Sequence, residues 1–284
     1  MVQPIVLITG TSTGIGLATS VAAARAGFRV VATMRDTAKA GLLHGAAREA
    51  GVEIDIRTLD VTDPVSVVDG VAAVIAQYGR LDAVINNAGT GHVGTIEGET
   101  LDEIRAVMEV NFFGVVAVSK AALPHLRETG GRLVTISSVG GVVGQPFNEA
   151  YCAAKFAVEG FMESLRPVAA TVGVPVSIVE PGAVTSEFIS NVGIDLPVVL
   201  ERSGPYAPAL QNYIARTTRQ FGSSRAQTPD EVAGVIVDLL LAENPPARLQ
   251  TSEWAREFIG TKLADLDGSA VQNLTAGWVA APNA

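Results

Sequence analysis

Tyr151 and Lys155 stand four residues apart in a segment with helical spacing, Ala150 to Val172. That spacing puts both side chains on one face of a helix, about one turn apart. A free tyrosine, with a pKa of about 10, is a poor base near neutrality. A neighbouring ammonium favours the phenolate and lowers that value. Such a pair can take a proton from an alcohol or return one to a carbonyl oxygen. The same two residues also describe a core tyrosine beside a solvated lysine, and the pair alone does not decide. A second set, Gly10, Gly14 and Gly16, lies in the run from Thr9 to Gly16, between a predicted strand and a predicted helix. Gly10 permits a tight turn. Gly14 lets the backbone approach a diphosphate, and Gly16 lets helix and strand pack closely. The helix N-terminus then offers free N–H groups and a positive dipole end to the anion. A glycine-rich turn without a ligand is the plainer reading, but the strand-to-helix context favours a nucleotide.

These residues must be positioned by alternating elements. Short apolar runs at Ile5–Thr9, Arg29–Thr33, Val52–Thr58, Leu81–Asn86, Arg132–Ser137 and Val174–Glu180 read as strands buried on both faces of a parallel sheet. A seventh is expected near Arg248–Thr251. Between them, Gly14–Ala26, Thr37–Ala50, Pro64–Tyr78, Leu101–Arg127, Ala150–Val172 and Pro229–Ala242 carry helical spacing. Strands alternating with helices imply right-handed βαβ units and a doubly wound α/β sheet of the Rossmann type. We expect one domain over residues 1–284, with two departures from the alternation. Residues 186–228 read as an irregular, apolar segment covering a substrate. Residues 252–284 read as a C-terminal extension, with helical spacing from Trp254 to Leu266. Pro167 is expected to kink or end the Tyr151 helix near Arg166.

Composition narrows the partners. The net charge of −9, without any Lys/Arg run longer than a pair, argues against nucleic acid and against a membrane-surface patch. No long uncharged apolar stretch reads as a membrane span. Charged residues are 17% of the chain, below the roughly 25% typical of soluble domains, which points to surface hidden in subunit contacts and to a homodimer or homotetramer. The single cysteine, Cys152, excludes an intramolecular disulfide and suits a reducing, cytoplasmic setting. It reads as a half-buried filler beside Tyr151. His44, His92 and His125 are too scattered for a metal site, so none is expected.

The spacing Gly-x-x-x-Gly-x-Gly, with Asn86-Asn87-Ala88-Gly89, Ser138, Tyr151-x-x-x-Lys155 and Pro181-Gly182-Ala183-Val184-Thr185, resembles the short-chain dehydrogenase/reductase family from about Ile5 to about Ala242. The resemblance implies hydride transfer between a nicotinamide and a carbonyl or alcohol. It casts Tyr151 as acid/base and Lys155 as its partner and a holder of the nicotinamide ribose. Ser138, thirteen residues before Tyr151, is cast as the substrate-oxygen contact. Asn111 is cast as the side chain that holds a water linking Lys155 to solvent. Ser137 could be confused with Ser138, but successive strand residues face opposite ways. The resemblance also implies cofactor contacts at Gly10, Ser12, Thr13, Gly14, Ile15 and Gly16, at Asp60 and Val61, at Asn87, Ala88 and Gly89, and at Pro181, Gly182, Val184 and Thr185. Asp60 and the Asn-Asn-Ala-Gly run, read without it, are a strand-end cap and a turn.

After the second strand, the place where NAD-using relatives carry an acidic residue is Met34, and Arg35 follows. A guanidinium there can pair with a 2′-phosphate, so NADP is expected and NAD is the lesser alternative. Against this stand a solvated Arg35, with Asp36 as a helix cap, or Asp36 accepting from a ribose. Ala32-Thr33-Met34-Arg35-Asp36 also resembles the hydroxysteroid and retinol dehydrogenase branch, and with the apolar 186–228 segment it implies a bulky apolar alcohol or ketone. The alternative from another class is a redox-sensing protein that binds NADP without turnover.

Overall fold

The apolar runs form seven parallel strands: β1 (Ile5–Thr9), β2 (Arg29–Met34), β3 (Ile54–Thr58), β4 (Ala83–Asn86), β5 (Arg132–Ile136), β6 (Val176–Glu180) and β7 (Arg248–Gln250). In the computed structural model, which describes residues 3–185, 195–221 and 226–279, they pair in the order β3-β2-β1-β4-β5-β6-β7. The chain therefore winds outward from β1 to one edge, returns at β4 and winds to the other. The carboxyl ends of β1 and β4 flank the crevice where such a sheet receives a ligand.

Period-two alternation divides the strand residues between two cores. Ile5 and Leu7 face helices α3 (Pro64–Tyr78), α5 (Gly114–Thr129) and α6 (Glu149–Ala170), where they meet Val71, Val118, Leu126, Val158 and Met162. Val6 and Ile8 face the opposite layer, α1 (Gly14–Arg25), α2 (Gly41–Ala50) and α9 (Pro229–Leu241), and meet Leu43, Val232 and Ile236. Helix starts are set by local chemistry. Asp63 accepts from Val65 N ahead of Pro64, and Thr228 with Glu231 closes a capping box on α9.

Three local expectations are corrected. The predicted helix Leu101–Arg127 is α4 (Leu101–Met108) and α5, joined by a π-turn at Glu109–Phe113. Helix α6 runs through Pro167 to Ala170. Proline there lies in the last turn, so only one intrahelical bond, to the Glu163 carbonyl, is lost. The 186–228 segment, expected to be irregular, contains α7 (Leu196–Arg202), a 3₁₀ turn at Gly204–Tyr206 and α8 (Ala207–Phe221); residues 186–194 and 222–225 lie outside the described residues. Pro197 and Pro205 sit in the first turns of their helices, where proline lacks nothing that the helix needs.

The C-terminal extension folds back as α10 (Glu253–Leu263) and α11 (Ser269–Val279). With Leu210 and Tyr213 of α8, and with Val139, Val143 and Phe147 ahead of α6, these helices bury Ala255, Phe258, Ile259, Val271 and Trp278 in a third core. Trp254 stacks on Phe258, and Phe258 on Trp278.

Candidate active site

The glycine loop at the end of β1 is built to close tolerance. Gly10 has φ +69°, and a Cβ on it would lie 2.6 Å from the Ala88 Cα. A Cβ on Gly16 would lie 2.3 Å from both Asn87 Nδ2 and the Gly10 carbonyl. Asn87 Nδ2 donates to the Thr9 and Gly10 carbonyls, each at 2.8 Å, and Thr9 Oγ1 accepts from the Asn87 and Ala88 amides. The β1 and β4 termini are thus bolted together under the crevice. The Thr13 side chain makes no capping hydrogen bond to α1, whose N-terminus carries the positive end of the helix dipole. A tight glycine cradle opening on an uncapped helix N-terminus fits a dinucleotide diphosphate.

Around this cradle the other expected contacts divide. Arg35 is exposed just past β2, and Met34 is buried. The Asp36 side chain accepts from Ala38 N and caps a 3₁₀ turn, which takes up one of its carboxylate oxygens. Asp60 Oδ1 accepts from Thr62 N and Oγ1, as the strand-end-cap reading had it. Ala183 and Thr185 pair with Gln227 across a short parallel bridge, and the Thr185 hydroxyl donates to the Gln227 carbonyl. His92 pairs with Glu99 at 2.6 Å.

The carboxyl end of β5, the π-turn and α6 bring Ser138, Tyr151, Lys155 and Asn111 to one place. Ser138 is hydrogen-bonded to Tyr151, and Ser138 Oγ also accepts from Gly140 N at 3.0 Å. Ser137 faces away, toward Glu159, as strand alternation requires. Lys155 Nζ donates to the Ile136 carbonyl at 3.0 Å and lies 5.8 Å from the Tyr151 ring centroid. A Cβ on Gly89 would sit 2.9 Å from Asn111 Oδ1 and 3.7 Å from Lys155 Nζ, so both atoms border the space that this glycine leaves open. Asn111 Nδ2 donates to the Thr90 and Val107 carbonyls, while Oδ1 accepts from Thr90 N. The π-turn therefore serves to hold Asn111 against the loop after β4.

The electrostatics depart from the expectation drawn from spacing. Burial pushes the Tyr151 phenol well above its usual value, and the Ser138 hydrogen bond only works against this. Burial also pulls Lys155 itself down to about 8, with Glu159 acting in the opposite sense. A buried pair at this distance is governed first by desolvation. Cys152 is buried and pushed up to about 11, chiefly by burial, which suits an inert filler.

Two contributors were not read from the sequence. Thr9 ties β1 to the Asn87 loop. Gly140 passes so close that a Cβ would lie 3.4 Å from both Ser138 Oγ and the Tyr151 ring. The Gly140-Gly141 pair after Ser138 was the available signal. Among the described residues no cluster of His, Cys, Asp and Glu could hold a metal ion.

A family model described as short chain dehydrogenase matches residues 4–196. Retinol dehydrogenase 8 from Bos taurus is 38% identical over 93% of this chain and 86% of its own length. Human 17-beta-hydroxysteroid dehydrogenase type 1 is 37% identical over 95% of this chain and 84% of its own length. A solved structure of an actinorhodin polyketide ketoreductase variant with NADPH superposes with a TM-score of 0.73 at 30% identity, covering 87% of this chain and 95% of that one.

Proposed function

The chain belongs to the short-chain dehydrogenase/reductase family, and from that membership we propose that it is an NADP(H)-dependent oxidoreductase interconverting a bulky apolar ketone or aldehyde and its alcohol. The observation that carries this reading is the Ser138–Tyr151 hydrogen bond beside Lys155, at the mouth of the glycine cradle. In this reading Tyr151 gives its proton to the carbonyl oxygen during reduction. Ser138 donates to the same oxygen and steadies its developing charge. Lys155, pulled down to about 8, can exchange a proton near neutrality and resupply the phenol. Asn111 holds the loop that walls this space. The nicotinamide supplies or accepts the hydride when bound. Gly10, Ser12, Thr13, Gly14, Ile15 and Gly16 would hold its diphosphate, Asp60 and Val61 the adenine, and Asn87, Ala88 and Gly89 the adenosine ribose. Pro181, Gly182, Val184 and Thr185 would hold the nicotinamide end, with Lys155 on its ribose.

NADP over NAD rests on Arg35, exposed beside a buried Met34, while Asp36 is engaged as a cap. The neighbour with NADPH supports the same choice. The apolar substrate rests on the third core, which includes Val143 and Phe147 of the segment ahead of Tyr151, and on the names of the steroid and retinol relatives. Segment 186–228 is taken as the substrate cover. A homodimer or homotetramer through α5 and α6 is supported by the apolar groove of Val116, Leu123, Phe161, Leu165 and Val168 between them. Leu101–Thr129 is apolar and long enough by composition to cross a membrane, but its buried face packs on the sheet as a core helix does. With a free, buried Cys152, a cytoplasmic setting is taken. The test is NADPH oxidation against matched panels of bulky apolar and small polar ketones. Turnover confined to the small polar set would overturn the substrate class. Turnover with NADH alone would overturn the cofactor.

A further inference from the structure

Behind the catalytic wall lies a group of buried ionisable side chains that hydride transfer does not use. Glu159 of α6 is one helical turn beyond Lys155, and Glu180 ends β6 immediately before Pro181. Their side chains are 5% and 0% exposed, and each is hydrogen-bonded into the cluster. The groups facing them come from every adjoining element. Ser137 enters from just past β5, the Gly141 backbone from the 3₁₀ turn after it, Lys155 and Glu163 from α6, and Arg248 and Gln250 from β7. Arg248 Nε stands 3.1 Å from Glu159 Oε2 and 3.6 Å from Glu180 Oε1, while its Nη2 is turned to the exposed Glu163. Gln250 Nε2 donates to Glu180 Oε2 at 2.5 Å.

One half-exposed guanidinium thus serves two buried carboxyls. Two buried carboxylates sharing one cation repel each other and lose hydration, so the pair favours retention of a proton. The satisfaction pattern points the same way. Glu159 Oε1, Glu180 Oε1 and Ser137 Oγ are all buried without a well-formed hydrogen bond. Arg248 Nε, 3.1 Å from one carboxyl and 3.6 Å from the other, brings the two acids to the same spot. A proton on either acid supplies the missing donor.

We propose that Glu159 and Glu180 hold one proton between them and act as a positioning pair, locking the Tyr151–Lys155 helix to the strand that leads into the Pro181–Gly182 loop. This rests on the reading of Tyr151 and Lys155 as the catalytic pair. Burial, opposed by Ser137 and reinforced by Glu180, pushes Glu159 up to about 7, and burial likewise raises Glu180. When the pair loses its proton to solvent, only an O–H bond breaks. Two carboxylates then face each other across the α6–β6 contact and press it apart.

The test uses the full chain and Glu180→Gln, whose neutral amide can donate to Glu159 but cannot lose a proton. Infrared spectra of the protein alone should show a protonated-carboxyl band at pH 6 that fades by pH 9 and is missing in Glu180→Gln. NADPH titrated at the same two pH values should bind about fivefold more weakly at pH 9 in the wild type, at the low end of site-to-site coupling. Glu180→Gln should lose most of that difference, whereas a contribution from Lys155 titration would persist in it. Should Glu180→Gln not fold, Glu159→Gln removes the shared proton from the other side with the same expected result. Absence of the band, or a full wild-type pH difference in the folded variant, overturns the pair. A band that behaves as expected in a protein that binds no NADPH supports the shared proton and overturns the reductase reading instead.

Discussion

Tyr151 illustrates what spacing can and cannot tell. Four-residue spacing in a helix put it beside Lys155, where the structure has it, and strand alternation, which says only that Ser137 and Ser138 face opposite ways, agrees with Ser138 on Tyr151 and Ser137 toward Glu159. The direction of its proton affinity was misread, because desolvation depends on what closes over the ring and not on its sequence neighbours. The Arg35 expectation rests on residue type alone, and the structure leaves that side chain exposed. Replacing Arg35 with alanine should raise the Michaelis constant for NADPH roughly tenfold, as loss of a charged hydrogen bond would, and leave that for NADH unchanged. Equal effects in steady-state assays with both cofactors would remove Arg35 from the site. Glu159 makes a separate prediction about stability. Its folded value of about 7 lies above its ordinary 4.5. Its stabilising contribution is therefore complete below about pH 4.5 and is lost as pH rises through about 7. Glu159→Gln should flatten the fall in melting temperature across that window; an unchanged slope would show that the carboxyl is not held protonated.

At the scale of elements, the parallel strands were legible because both faces are buried and the runs are nearly continuous. The π-turn was not, since one residue of extra winding leaves no mark on apolar periodicity; only the poorly helical Asn111 hinted at it. The helices within 196–221 were not read from the sequence; their prolines sit in first turns, where they fit a helix. The junction of β1, α1 and the loop after β4 carries its own test. Gly16→Ala would place a methyl group 2.3 Å from Asn87 Nδ2 and the Gly10 carbonyl. Overpacking of this kind costs about 1–3 kcal/mol, so the urea midpoint should fall together with NADPH affinity. A variant with wild-type midpoint and affinity would show that the cradle is looser than described.

For the whole molecule, the C-terminal helices share a core with α8 and with the segment ahead of α6. Arg216 of α8 lies 3.8 Å over the Trp278 ring, and Trp278 stacks on Phe258, so the extension and α8 share one core. Sequence showed that a helix was present near Trp254 but not where it packs, because the contact joins segments far apart in the chain. Trp278→Ala should lower unfolding free energy by about 3 kcal/mol, the low end for removing a buried tryptophan. It should also raise the Michaelis constant for bulky ketones while the NADPH dissociation constant stays fixed. A matching rise in both constants would place the extension on the cofactor side. The central claim, reduction driven by Tyr151 as acid, is tested most directly by single-turnover NADPH oxidation with a bulky ketone in wild type and Tyr151→Phe. We expect the variant to bind NADPH normally and to turn over about 10²–10⁴ times more slowly, the usual weight of a general acid. Equal rates in the two proteins would contradict the account.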